Sequence, residues 1–338
     1  MKKINLIILF LLQCLWIFAS KEPSWVHLKR AENLTAKGEY SEAMSEVRKA
    51  RARRIDEALE RYWNKLLVEN PDKTDYELKK LLQKEEQKLK VSDNYPQYHN
   101  IVGDLYVKTN FLSEAEREYK LVLEQQEFLD YPDEILNVRY KLAELYSSRG
   151  DLNLEEMTYL EIINGFLSTK KDTYWERVRY NIRQDITLSH IFKVYRFDNG
   201  MKYFNALYNI GRYAAIAQKR DESLFYLGCA AIVWMTHVNN EIRKVQPDFH
   251  YTGPANFINY IGNPAFQIML TEDFVFDKLM FYIGYNHFLN GNIQERDYYF
   301  GLAKSFAAKV GRVNMINDQI DYLIAHPDHV LTYQEILK

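Results

Sequence analysis

Eight histidines and two cysteines are the residues best suited to bind a metal or attack a substrate, and their spacing supports neither. His27, His99, His190, His237, His250, His287, His326 and His329 are scattered, and none pairs with a cysteine at metal-ligand spacing. The one cluster, His326-Pro327-Asp328-His329, holds too few donors for a site of its own and reads as a turn between the last helices. Cys229 lies between Gly228 and Ala230 and reads as a small buried apolar residue, since no neighbour in sequence would activate its thiol. The chain has no phosphate-cradling glycine loop and no nucleophile elbow. Its carboxylates are spaced as on helix surfaces. These observations predict a protein that is not an enzyme and needs no cofactor or metal.

Recognition is the better-supported chemistry. Residues 239–273 break the pattern of the rest, with Pro247, Gly253, Pro254, Gly262 and Pro264 among asparagines. The segment also carries Phe249, His250, Tyr251, Phe257, Tyr260 and Phe266, the candidate partner or ligand surface. A loop of this length is functional or disordered, and so many aromatics argue against disorder. It is either a lid or partner surface, or a plug over exposed core. The 26 tyrosines serve packing and binding grooves alike.

Charge narrows the partners. The formal net charge is −2, which argues against nucleic acid. The basic run Arg48, Lys49, Arg51, Arg53, Arg54 is followed by Asp56, Glu57 and Glu60, which can pair with it on one helix.

The elements that position these residues follow from a pattern that recurs five times. A small residue is followed by a bulky one at three, a turn residue at seven and an apolar residue at nine. A small residue follows at twelve, a bulky one at sixteen and an apolar or small one at nineteen. One copy reads Gly103, Tyr106, Asn110, Leu112, Ala115, Tyr119, Val122. The others start at Ala31, Ala143, Gly211 and Gly284, with turn residues Gly38, Gly150, Gln218 and Gly291. Such offsets make a helix-turn-helix hairpin, with close helix approach at the small residue. Glu155 and Arg296 depart from the small residue at twelve, and Arg220 makes the fourth turn the weakest. A degenerate copy is predicted over 172–195, including Ile186, and charged helices over about 48–69 and 74–90.

The pattern resembles the tetratricopeptide repeat family, whose period is 34 residues. The resemblance implies an all-α right-handed solenoid of α-α hairpins over 21–238 and 274–338, with 239–273 as an irregular insertion. Stacked hairpins of this family usually bind other proteins.

Residues 1–20 hold Lys2 and Lys3 before an apolar run from Ile4 to Ala19, the layout of an export signal. It is cleaved, retained as an anchor, or lipidated at Cys14, and the latter two would associate the protein with a membrane. The predicted location is the periplasm. Export together with tetratricopeptide-like copies is similar to collar proteins of bacteria with periplasmic flagella. That likeness implies a scaffold whose partners are envelope or flagellar motor proteins. The alternative is an exported tetratricopeptide protein that binds a small ligand for a solute transporter.

Overall fold

The computed structural model describes residues 22–335 apart from 93, 186, 262 and 264–274. The leader with Cys14, Ile186 of the degenerate copy, and Gly262, Pro264 and Phe266 of the insertion lie outside the described residues. Among the described residues all regular structure is helical, and the chain divides into two compact units between Arg149 and Gly150.

The first unit contains α1 (Ser24–Lys37), α2 (Tyr40–Glu69), α3 (Asp75–Val91), α4 (Pro96–Lys108), α5 (Leu112–Glu124) and α6 (Glu134–Arg149). Helix α1 packs on α2 and α4 on α5, α4 also lies against α1 and α2, and α6 packs on α5. The second unit contains α7 (Leu152–Leu167), α8 (Asp172–Gln184), α9 (Ser189–Val194), α10 (Phe204–Ile216), α11 (Arg220–Val245), α12 (Phe276–Leu289), α13 (Ile293–Lys309) and α14 (Val313–Ala325). Its hairpins are α10 with α11 and α12 with α13, while α7 packs on α10, α8 on α11 and α14 on α13.

All five turn residues are in the left-handed region, with φ of 81° at Gly38, 64° at Asn110, 74° at Gly150, 57° at Gln218 and 69° at Gly291. Glu39, Phe111, Lys219 and Asn292, one residue later, each donate a backbone N–H to the carbonyl five residues back, at 2.8–3.0 Å. This closure occupies a carbonyl that the helix end leaves open. The fourth turn therefore forms despite Arg220. Gly311 (φ 72°) and the Arg312 N–H on the Ala307 carbonyl (3.0 Å) repeat it once more, so α13 ends one hairpin and begins another.

The small residue at the head of each copy faces the bulky one at sixteen. A Cβ on Gly103 would lie 2.5 Å from the Tyr119 ring, one on Gly211 2.6 Å from Leu227 Cγ, and one on Gly284 2.6 Å from the Phe300 ring. Ala31 and Val47 hold the same positions in the first copy and are wholly buried.

Helix α2 continues the second helix of its hairpin without a break. Ala43, Val47 and Ala50 at its root are wholly buried, but beyond them only Leu66 on α2 and Leu78 on α3 are. Thr74 and Glu77 close a reciprocal capping box that starts α3. The basic run is spent locally: Arg53 binds Glu60 at 2.9 Å, while Arg51 and Arg54 lie over the Tyr98 and Tyr95 rings.

Two boundaries differ from the sequence reading. Helix α11 runs to Val245, so Asn239 and Asn240 belong to it and not to the insertion. Asn239 is buried, and Asn240 reaches Asp198 at 3.2 Å from the helix that carries it. The His326–His329 stretch is a turn, but it leads from α14 into an extended segment and a short 3-10 turn (Tyr333–Glu335), not into another helix.

Candidate functional site

A groove of about 420 Å³ crosses the first helices of three successive copies in the first unit. It is lined by Glu32, Thr35 and Ala36 on α1, Ile101, Asp104, Val107 and Lys108 on α4, and Lys141, Glu144, Leu145 and Ser148 on α6. The repeat register explains the selection. Glu32, Asp104 and Glu144 each stand one residue after the small residue of their copy, and Thr35 and Val107 stand four after it. These positions face away from the second helix of the hairpin, because the small residue itself faces it.

The floor is held by a polar network. Tyr119 donates its hydroxyl to Asp104 at 2.7 Å, and Lys141 donates to Asp104 and to Asn100, each at 2.8 Å. Burial, then the Asp104 charge, push the Tyr119 phenol well above its ordinary range, so it stays a donor at any physiological pH. Val107 and Ala36 are the exposed apolar residues of the lining, which Leu112 and Tyr119 of α5 complete. The groove thus offers small exposed apolar side chains among charges of both signs, Glu32 and Glu144 with Lys108 and the paired Asp104 and Lys141, an arrangement suited to apolar anchors flanked by polar groups.

The insertion aromatics are placed differently. Phe257 is wholly buried, against Trp234 at 6.1 Å and Phe192 at 6.0 Å. Tyr251 lies on Phe192 at 4.5 Å, and Phe249 meets Tyr260 at 5.2 Å. Tyr251, Phe249 and Tyr260 are half-buried and His250 is exposed. Phe249, His250 and Tyr260 line a shallow hollow with Gln246, Pro247, Asp248 and Asn256, whereas Phe257 and Tyr251 are committed to packing.

The second unit encloses a cavity of about 110 Å³ lined by residues including Ile182, Leu224, Gly228, Ile283, His287 and Tyr299. His287 stacks flat on Tyr299 at 5.6 Å. Burial, then the Arg220 charge, lower its pKa, which keeps the ring neutral. Cys229 is wholly buried, and burial pushes its thiol up.

One polar device was not read from the sequence. His99 is bonded to Glu118 at 2.6 Å, and His27 to Glu46 at 2.7 Å. In both copies the histidine stands four residues before the small residue and the glutamate fifteen after it, so each pair ties the two helices of a hairpin. Burial, the largest single effect, raises the Glu118 carboxyl, but the bond and charge of His99 together with Arg117 outweigh it and hold the group below the usual carboxylate range. The shared spacing of 19 residues is the signal that would have found the pairs. In the fourth and fifth copies the place of the glutamate belongs to Tyr226 and Tyr299.

No protein-family model, curated protein or solved structure matches the chain. Among the described residues no group of three or more His, Cys, Asp or Glu could hold a metal ion, and no helix is long and apolar enough to cross a membrane.

Proposed function

We propose that the chain is a tetratricopeptide-like scaffold of the cell envelope that holds a segment of a partner protein in the groove of the first unit. The observation that carries this is the groove itself, built from equivalent register positions of three successive first helices. Its exposed apolar side chains and fixed polar floor suit a polypeptide segment that buries a few anchors within a polar rim. The partners we propose are flagellar motor or stator components in the periplasm, on the strength of the export-like leader and the collar resemblance. The transporter-linked ligand binder is the weaker alternative. The cavity of about 110 Å³ is well below ordinary ligand pockets, which run about 300–1,000 Å³, and the hollow at the insertion, at about 480 Å³ within that range, is shallow and open to solvent.

The test is a photo-crosslinker placed at Val107 in the full chain, expressed in cells that carry periplasmic flagella. Crosslinks to motor or stator proteins, lost with Glu144→Lys, are the expected result. Crosslinks to a transporter subunit alone, or copurification of a small molecule without a protein partner, would overturn the proposal.

A further inference from the structure

The register that builds the groove in the first unit has counterparts in the second, and there the face is covered. In the first unit the positions four and five after the small residue are open: Val107 and Lys108, Ser147 and Ser148, with Thr35 half-buried and Ala36 exposed. In the second unit Ala215, Ile216, Phe288 and Leu289 hold these positions; the first three are buried and Leu289 is half-buried. Tyr285 stands where Asp104 and Glu144 stand in the groove, and it is wholly buried.

What covers Tyr285 is the chain's own C-terminal segment. After α14 the chain turns at His326–His329 and runs extended. The Leu331 N–H donates to the Tyr285 hydroxyl at 2.8 Å, and Leu331 is 2 % exposed. The Tyr333 ring meets Tyr213 of α10 at 5.9 Å. Leu331 and Tyr333, two residues apart, thus reach the first helices of two copies at once.

The attachment is thin. Leu331 is the one buried side chain of residues 326–335; the others are exposed or half-buried. The polar contacts of the segment are largely internal: the Thr332 N–H and hydroxyl both bond Glu335 at 2.8 Å, and His329 bonds Glu335 at 2.9 Å. A strap that satisfies its own polar groups can leave the face without stranding them, so release exposes little besides one leucine and one ring.

We propose that residues 326–335 are a built-in ligand of the second unit, and that an extended partner segment presenting leucine two residues before tyrosine competes with them for the face of α10 and α12. The intramolecular occupant defines the chemistry: an apolar anchor, a backbone N–H for the Tyr285 hydroxyl and an aromatic ring for Tyr213. This inference concerns a different surface from the groove of the first unit and does not rest on the function proposed for it.

The experiment uses the full chain and a fluorescein-labelled peptide of the sequence of residues 326–335, read by fluorescence anisotropy. In Leu331→Asp/Tyr333→Asp the strap is expelled, and the peptide should bind at least ten-fold more tightly than to wild type. Adding Tyr285→Phe should weaken that binding several-fold by removing the acceptor. Equal binding to wild type and the released variant, or to neither while helical circular dichroism is retained, would overturn the proposal. Should the double variant unfold, hydrogen exchange on wild type decides. The Leu331 amide should exchange at least a hundred-fold faster than the amides of α12, and equal protection would sink the idea. Dimerisation of the released variant through strap exchange, with no peptide binding, would assign the face to a second copy and overturn the partner.

Discussion

Gly211→Ala tests the hairpin geometry when it is made in two backgrounds. A methyl built there lies 2.6 Å from Leu227 Cγ, 2.7 Å from Cδ2 and 3.0 Å from the Leu227 backbone nitrogen. A new rotamer of Leu227 relieves the first two contacts but not the third, so α10 and α11 must part slightly. Leu227 is wholly buried, and Ser223 ties the same turn to the Gly211 carbonyl at 2.7 Å. Overpacking of a closed core costs about 1–3 kcal/mol, and this contact with backbone belongs in the upper half of that range. Alanine restores about 1 kcal/mol of helix propensity over glycine. The net expectation is a loss of about 1–2 kcal/mol. Leu227→Ala alone should cost about 2–5 kcal/mol through the cavity it leaves. In that background the two side-chain contacts are gone and only the 3.0 Å approach to the backbone nitrogen is left, so the loss caused by Gly211→Ala should shrink to within about 1 kcal/mol of neutral. The assay is urea denaturation followed by tryptophan fluorescence, with Trp175 and Trp234 reporting on the second unit, and by far-ultraviolet circular dichroism. If Gly211→Ala costs as much in the Leu227→Ala background as in the wild type, the close approach to the Leu227 side chain does not govern this hairpin.

Three further outcomes can be checked. Arg312 grips wholly buried Asp277 through two bonds of 3.0 and 2.7 Å; Arg312→Ala should cost about 3–5 kcal/mol by stranding the carboxylate. Thermal melts should show most of that loss recovered when Asp277→Asn is added. His287 has a folded-state pKa lowered from 6.5, so its contribution is present above pH 6.5 and lost as pH falls through the folded value, with a slope of at most about 1.4 kcal/mol per pH unit. His287→Gln should flatten stability against pH in that window, as measured by urea midpoints. Gln218, at φ 57°, should gain about 1 kcal/mol on conversion to glycine, because a left-handed backbone is costly for other residues; denaturant midpoints of Gln218→Gly would show it.

The turns were the most legible feature, because a left-handed backbone selects glycine or asparagine and leaves that choice in the sequence. Gln218 concealed the fourth turn in part, and Lys304, where a small residue is expected, concealed the hairpin that begins on α13. The end of α11 was misplaced because Asn239 and Asn240 suggest a loop, whereas burial of Asn239 and the bond from Asn240 to Asp198 keep them on the helix. Phe257 and Tyr251 stood out as aromatics, but their type does not say whether a ring packs inward or faces a partner. The His99–Glu118 pair was hidden by a search for metal ligands, when its spacing belonged to the hairpin. The strap left no trace, because an extended segment that docks through one leucine has no period to read.

Helix α2 has 30 residues, which makes it a rod about 45 Å long. Its root is set in the first hairpin, but its outer half shares with α3 only two buried leucines, Leu66 and Leu78. The outer arm should therefore open locally at a lower free energy than the hairpin at its root. Amides near Pro71 will flicker open while those around Val47 stay shut. A protein that grasps the tip would quiet this opening and pass the added order along the helix to the root that α2 packs against α1.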